Sequence, residues 1–242
     1  MKKFLLAVLA IASLATAQAT GVDFSVKSQY LNRGTIWQDG LATDEGKAVL
    51  WSDGWVSANG VTATVWISSQ IADSMKTNEV DLIVGYSKEV AGVTLGVGVN
   101  YYTFPNYPEQ VQFASTGEFT LSAAKTIGHV TLAVNAYKDY LQGKGLYISP
   151  AVKTSWTLSD FTFNTNTGIG WGSEKFGLYN RGLEHSGVTD MSLDLVVNYA
   201  VPAVKGLTLS LDGHSAYQPD VAISNNVGWQ GFIYGAGVSY SL

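Results

Sequence analysis

The chain predicts an all-β fold: a transmembrane antiparallel up-and-down β-barrel of about twelve strands, with both termini on the periplasmic side of an outer membrane. Three observations predict it. From Asp23 to Leu242, apolar side chains recur at every second position in stretches of roughly ten residues. The breaks between stretches alternate long and short. Nearly every charge inside a stretch falls on the face opposite the apolar one, whereas a water-soluble barrel would carry its charges outside.

The first element is an address. Lys2 and Lys3 precede an apolar run from Phe4 to Leu14, and Ala17-Gln18-Ala19 is a small-x-small cleavage signal. This pattern is a secretory signal peptide over 1–19, too short for a spanning helix. Residues 20–242 then form the barrel. Losing Lys2 and Lys3 takes the formal net charge from −5 to −7, which excludes a nucleic-acid partner. There is no cysteine, so packing and hydrogen bonding must hold an exported chain together.

Strands are expected near 22–30, 48–58, 61–69, 77–89, 93–102, 117–126, 130–140, 145–158, 161–171, 191–201, 207–214 and 229–241. Asn59-Gly60, Val90 to Gly92, Ile127 to His129, Ser159-Asp160 and Pro202 to Gly206 are hairpin-length connections with the turn residues such links need. The longer connections are 31–47, 70–76, 103–116, 141–144, 172–190 and 215–228, with no helical segment expected. Membrane barrels place short turns in the periplasm and long loops outside. A first connection that is long therefore makes the first strand rise from the periplasm.

Parity sorts the faces. Leu82, Val84, Tyr86, Val130, Leu132, Val134, Phe161, Phe163, Met191, Leu193, Leu195, Val197, Leu207, Leu209 and Leu211 point to lipid. Asp23, Lys27, Asp81, Lys153, Asp194, Asp212 and His214 point to the lumen, where they are candidates for setting selectivity. Lys88 and Lys125 have outward phase but sit at strand ends, where a lysine can snorkel. Tyr86, Trp156, Tyr199 and Tyr240 near one end, and Tyr30, Tyr101 and Trp171 near the other, match two interfacial girdles. The only arginines, Arg33 and Arg181, fall at or beyond the external rim; Arg33 has the alternative of clamping the first loop to the wall.

Two segments resemble a known family. Ser28-Gln29-Tyr30-Leu31-Asn32-Arg33-Gly34 is similar to the S-x-Y-x-x-R-G segment of TorF-type porins. The stretch from Asn78 through Gly85-Tyr86 to Tyr101-Tyr102-Thr103-Phe104-Pro105 is similar to that family's core. The resemblance covers most of the first half and is looser after residue 140. It implies an outer-membrane barrel with a porin role and transfers no catalytic or binding residues. The alternating Val238-Ser239-Tyr240-Ser241-Leu242 end resembles the signal read by the barrel-assembly machinery, although a terminal aromatic is usual and Leu242 stands there.

Enzyme chemistry has little to stand on. Of three histidines, only His214 is in phase with Asp212 and Ser210, and neighbours two apart on a strand are about 7 Å apart. A barrel hydrolase is the weakest alternative, and no cofactor is expected. Asp39, Asp44 and Glu45, or Glu184 and Asp190, are loop acids with oxygen donors for a divalent cation, without a ligand spacing that marks a metal site. About twelve strands lie between a filled barrel and an open porin. An inner wall of Ser, Thr, Asn and Gly, interrupted by Trp66, Tyr102, Tyr137 and Tyr147, favours a narrow pore for passive diffusion of small hydrophilic solutes. Four inward acids against Lys27 and Lys153 make it weakly cation-preferring. The alternative is a non-conducting barrel that displays loops, its lumen plugged by 31–47 or 103–116. Lipid and lipopolysaccharide are the other expected partners.

Overall fold

Twelve strands close one antiparallel barrel, and three short strands form a separate sheet. The computed structural model describes residues 18–33, 35–38, 41–43, 47–71, 76–105, 115–182, 184–219 and 229–242. Residues 1–17, with most of the expected signal segment, lie outside the described residues. In chain order the elements are β1 (Ala19–Lys27), then β2 (Tyr30–Asn32), β3 (Thr35–Gln38) and β4 (Leu41–Thr43), which make the small sheet. Next come β5 (Val49–Ala58), β6 (Val61–Gln70), β7 (Lys76–Val90), β8 (Val93–Thr103), β9 (Ser115–Ile127), β10 (Val130–Asp139), β11 (Leu146–Leu158) and β12 (Phe161–Gly172). Helix α1 (Glu174–Arg181) precedes β13 (Gly187–Ala200), β14 (Leu207–Tyr217) and β15 (Trp229–Ser241).

Each barrel strand pairs with the next, and β1 closes the ring by pairing with both β5 and β15, so Asp23 lies opposite Asp53 on one side and Ser239 on the other. Closure leaves no unpaired edge, which is the condition for strands to cross a bilayer. The short connections gather at one end. At Asn59-Gly60 both residues are left-handed, with φ of 52° and 83°; that geometry twists with the strands it joins. Thr20 and Leu242 exchange backbone hydrogen bonds of 3.2 and 2.9 Å, so both described ends of the chain sit at this short-turn end.

The burial pattern is inverted relative to a soluble protein. Leu195 is 45% exposed, Leu132 52% and Leu211 65%, whereas Glu79, Asp81, Glu118, Asp139 and Asp190 are buried. An apolar exterior around a polar interior is what a lipid-facing barrel presents. Among the described residues no helix is long and apolar enough to cross a membrane.

Three expectations need correction. β1 ends at Lys27, and Tyr30 opens the small sheet instead of closing the first strand. Tyr30 is 8% exposed and packs on Trp51 and Trp66, so it is not part of an outer girdle. The 172–190 connection holds α1, where no helix was expected: Ser173 caps its start, accepting from Phe176 N at 3.4 Å, and Gly182 ends it with φ 67°.

Candidate functional site

The lumen holds two adjoining cavities. The one toward the short-turn end, of about 900 Å³, is walled by Asp23, Lys27, Lys153, Asp194, Asp212 and His214 among serines, threonines and asparagines. Alternation on β1, β11, β13 and β14 puts these side chains on one face. They are cross-linked: Lys27 pairs with Asp212 and His214 Nδ1 with Asp194, while Asn166 Nδ2 donates to Asp194 at 2.7 Å. Trp55 Nε1 donates to Asp23 at 3.3 Å.

The second cavity, of about 530 Å³, lies toward the long connections. Leu31, Trp51, Lys153, Asn166 and His214 line both cavities and mark where they meet. Its outer side is formed by the β2–β3 hairpin, which turns into the barrel. Asn32 pairs with Thr35, so Arg33, at φ 49°, sits in a two-residue connection at the hairpin tip. From there its guanidinium reaches Glu118 of β9 with two hydrogen bonds, 2.7 and 2.6 Å long. It lies 4.5 Å from the Tyr137 ring centre and 4.9 Å from that of Tyr147. Burial alone would lower the pKa of Arg33, but the Glu118 carboxylate outweighs it and holds the pKa above the ordinary arginine value.

Further ties fix the hairpin. Tyr30 OH donates to Glu79 at 2.5 Å, and Gln218 Nε2 donates to Thr35 Oγ1 at 2.8 Å. Arg181, in the last turn of α1, donates to the Arg33 carbonyl at 3.0 Å and to the Thr189 carbonyl at 2.6 Å, and lies 3.8 Å from Asp190. Phe176 of α1 stacks on Tyr147, with ring centres 5.0 Å apart, and Tyr147 OH donates to Asp190. A Cβ at Gly170 would collide with that Tyr147–Asp190 pair, which is why the wall is bare there.

Of the residues singled out from sequence, Asp23, Lys27, Asp194 and Asp212 line the first cavity, Asp81 the second, and Lys153 and His214 both. Arg33 and Arg181 are not free rim cations: their side chains are 16% and 3% exposed and engage carboxylates inside the barrel. Arg33 thus makes the clamp that was its alternative. Sequence reasoning missed Asp53, Glu79 and Glu118. Glu79 shares the parity of Asp81, and Glu118 that of Thr120, so phase alone would have found both. In the W-S-D-G-W run of β5, Trp51 and Trp55 share the face of Asp53 while Ser52 and Gly54 take the other, which reverses the usual apolar and polar faces and hides Asp53.

Chemically the site is a polar, charged lining around two adjoining cavities. Asp194 on the neighbouring strand, not Asp212, takes His214, and Lys27 takes Asp212, so the Ser210–Asp212–His214 set does not assemble. Asp190 belongs to the wall, not to a loop, and Asp39, Asp44 and Glu45 lie outside the described residues. No group of three or more metal-ligating side chains occurs among the described residues. The charge balance is negative: Asp23, Asp53, Glu79 and Asp81 have no ion-pair partner among the described residues, and of the bases lining the two cavities only Lys153 is in that position.

Comparison with solved structures returns the same architecture. The KdgM porin is 12% identical and superposes with a TM-score of 0.56, covering 92% of this chain and 99% of that one. The NanC porin is 13% identical at the same TM-score, covering 92% and 100%. A KdgM porin solved with disordered oligogalacturonate is 13% identical, again at 0.56 and covering 92% and 99%. These likenesses show the fold. No curated protein sequence matches the chain. The chain belongs to the Gcw_chp family, described as a bacterial protein of unknown function, whose model matches residues 13–200.

Proposed function

We propose that this member of the Gcw_chp family is an outer-membrane channel for passive diffusion of small hydrophilic solutes, with a modest preference for cations. The observation that carries the reading is a closed barrel, apolar outside, whose polar lumen holds two adjoining cavities with more acids than bases. The acids predict the direction of selectivity, because fixed charge in a narrow low-dielectric passage sets the sign of the mobile ion. A polycarboxylate such as the oligogalacturonate named for one similar porin would meet Glu79 and Asp81 without a free arginine to receive it. In this reading the short-turn end faces the periplasm, the long connections face outward, and residues 1–19 direct export. The TorF-type likeness fits it: the Tyr30-to-Arg33 part of that motif lines the second cavity.

The Arg33 clamp favours a second reading, a barrel whose lumen is closed by the β2–β3 hairpin and which serves to display its loops. Single-channel recording in a planar bilayer under a salt gradient separates them. Steps with a cation-side reversal potential support the channel. Anion selectivity would overturn the charge reading, and absence of current would leave the plugged barrel.

A further inference from the structure

We propose that Lys153 is the specificity-determining residue of the channel: standing unpaired where the two cavities meet, it lets monovalent cations pass and holds back divalent ones. Leu31, Trp51, Asn166 and His214 share that section with it. The other bases lining the two cavities are engaged, Lys27 by Asp212, Arg33 by Glu118 and His214 by Asp194. Lys153 is exposed to the lumen and makes no hydrogen bond or ion pair among the described residues. Its register neighbours, Thr131 on β10 and Asn166 on β12, carry no charge. The next residue in that register, Asp194 on β13, is an acid, but Asn166 and His214 already hold it. The opposite wall is β5, six strands away in either direction around the ring. It offers Trp51, an uncharged ring with Lys27 Nζ 5.3 Å from its centre.

Acids without an ion-pair partner lie on both sides of this section. Glu79 and Asp81 line the second cavity, and Asp23 lines the first. A cation crossing the barrel is drawn to acids, meets one fixed ammonium, and is drawn on to acids again. Attraction and repulsion both scale with the charge of the ion, so the climb from the acids to the junction steepens with valence. An ammonium about 5 Å from an ion in water-like surroundings lowers the presence of a monovalent cation by a factor of about four, and that of a divalent one by the square of that, about sixteen. The wall as a whole stays acidic, so monovalent cations keep their advantage over anions. Divalent cations are held at the acids and turned back at the junction, and neutral solutes feel neither.

The inference rests on the channel reading and deepens it. Its test is the reversal potential of the full mature chain in planar bilayers, with potassium chloride on one side and magnesium chloride on the other. The wild type should favour potassium over magnesium. Lys153→Gln should raise the permeability of magnesium relative to potassium about fourfold, the ratio of the two factors above. Lys153→Arg should keep the wild-type ratio. The chain has no cysteine, so Lys153→Cys supplies a single thiol in the lumen. An aminoethyl methanethiosulfonate restores an ammonium there and should return the wild-type ratio. The sulfonatoethyl reagent places a negative charge there and should carry magnesium permeability above that of Lys153→Gln. A role in folding or in pore width would not follow the sign of the reagent. A conducting Lys153→Gln channel with the wild-type ratio overturns the proposal and leaves the channel standing, as do two reagents with the same effect. A wild type that passes magnesium as readily as potassium overturns it as well. Absence of wild-type current ends the channel reading, and the proposal with it.

Discussion

Replacing Arg33 by methionine should release the inner hairpin without unfolding the barrel. The substitution removes two short hydrogen bonds to Glu118 and the contact with the Tyr137 and Tyr147 rings. It leaves Glu118, 6% exposed, with only the Tyr102 hydroxyl at 2.8 Å. Breaking one side of such a buried pair costs about 3–5 kcal/mol, mostly for the stranded charge. The hairpin is bound to the wall by side chains and shares no ladder with it, so the cost falls on local opening rather than on the closed sheet. Amide hydrogen exchange in β2 and β3 should accelerate by about 10²–10³-fold, while β6 and β12 exchange as before. Adding Glu118→Gln to the variant removes the stranded charge and should recover most of the protection. Bilayer conductance of the single variant should rise as the hairpin vacates the lumen. Unchanged exchange in the single variant, or a double variant that opens as readily as the single one, would refute the clamp.

Three other perturbations test the faces, the charge and the orientation. Leu195→Arg puts a charge against lipid near mid-strand and should cost about 2–4 kcal/mol in denaturant unfolding, whereas Asn198→Arg enters the lumen and should be near neutral; equal midpoints would reverse the phase of β13. Asp194→Asn with Asp212→Asn removes the counter-charge of Lys27 and the hydrogen-bond partner of His214, taking two negative charges from the wall. At 0.01 M salt, where screening extends about 30 Å, the reversal potential should move toward zero or past it, and a wild-type value would dismiss those acids as determinants. A cysteine at His185 should react with an impermeant thiol reagent on intact cells and one at Ala203 should not; labelling at Ala203 would invert the orientation.

The twelve barrel strands were legible because a two-residue period and turn chemistry are local and leave marks in a single sequence. The clearest case is Asn59-Gly60, where residue type and backbone conformation coincide. The inner sheet left no such mark. β2, β3 and β4 are three or four residues long, too short for alternation to register, and their position depends on partners far away in sequence. Tyr30 shows the consequence. By parity it continued the first strand, and only the change of direction after Lys27 turned its ring onto Trp51 and its hydroxyl onto Glu79.

The same limit governs the site. Phase alone placed Asp23, Lys27, Asp194 and Asp212 around one cavity, because lumen residues are set by parity. It did not say which charges would pair, since Lys27 meets Asp212 across 185 residues of chain. Arg33 and Arg181 occur in long connections, which lead outward in membrane barrels, and that position alone puts both at the rim. A counter-signal was nonetheless present. Glu79, Asp81 and Glu118 share the inward phase near the long-connection end, and the strands around them offer no arginine or lysine of that phase at that end to balance them. Buried carboxylates without a counter-charge are costly enough that a neighbouring segment is expected to supply one. The chain has just two arginines, both in long connections at that end, and the structure brings them together: Arg33 on Glu118, Arg181 on the Arg33 carbonyl. In a barrel of this kind, an excess of inward acids at one end is therefore evidence that a loop from that end folds back inside.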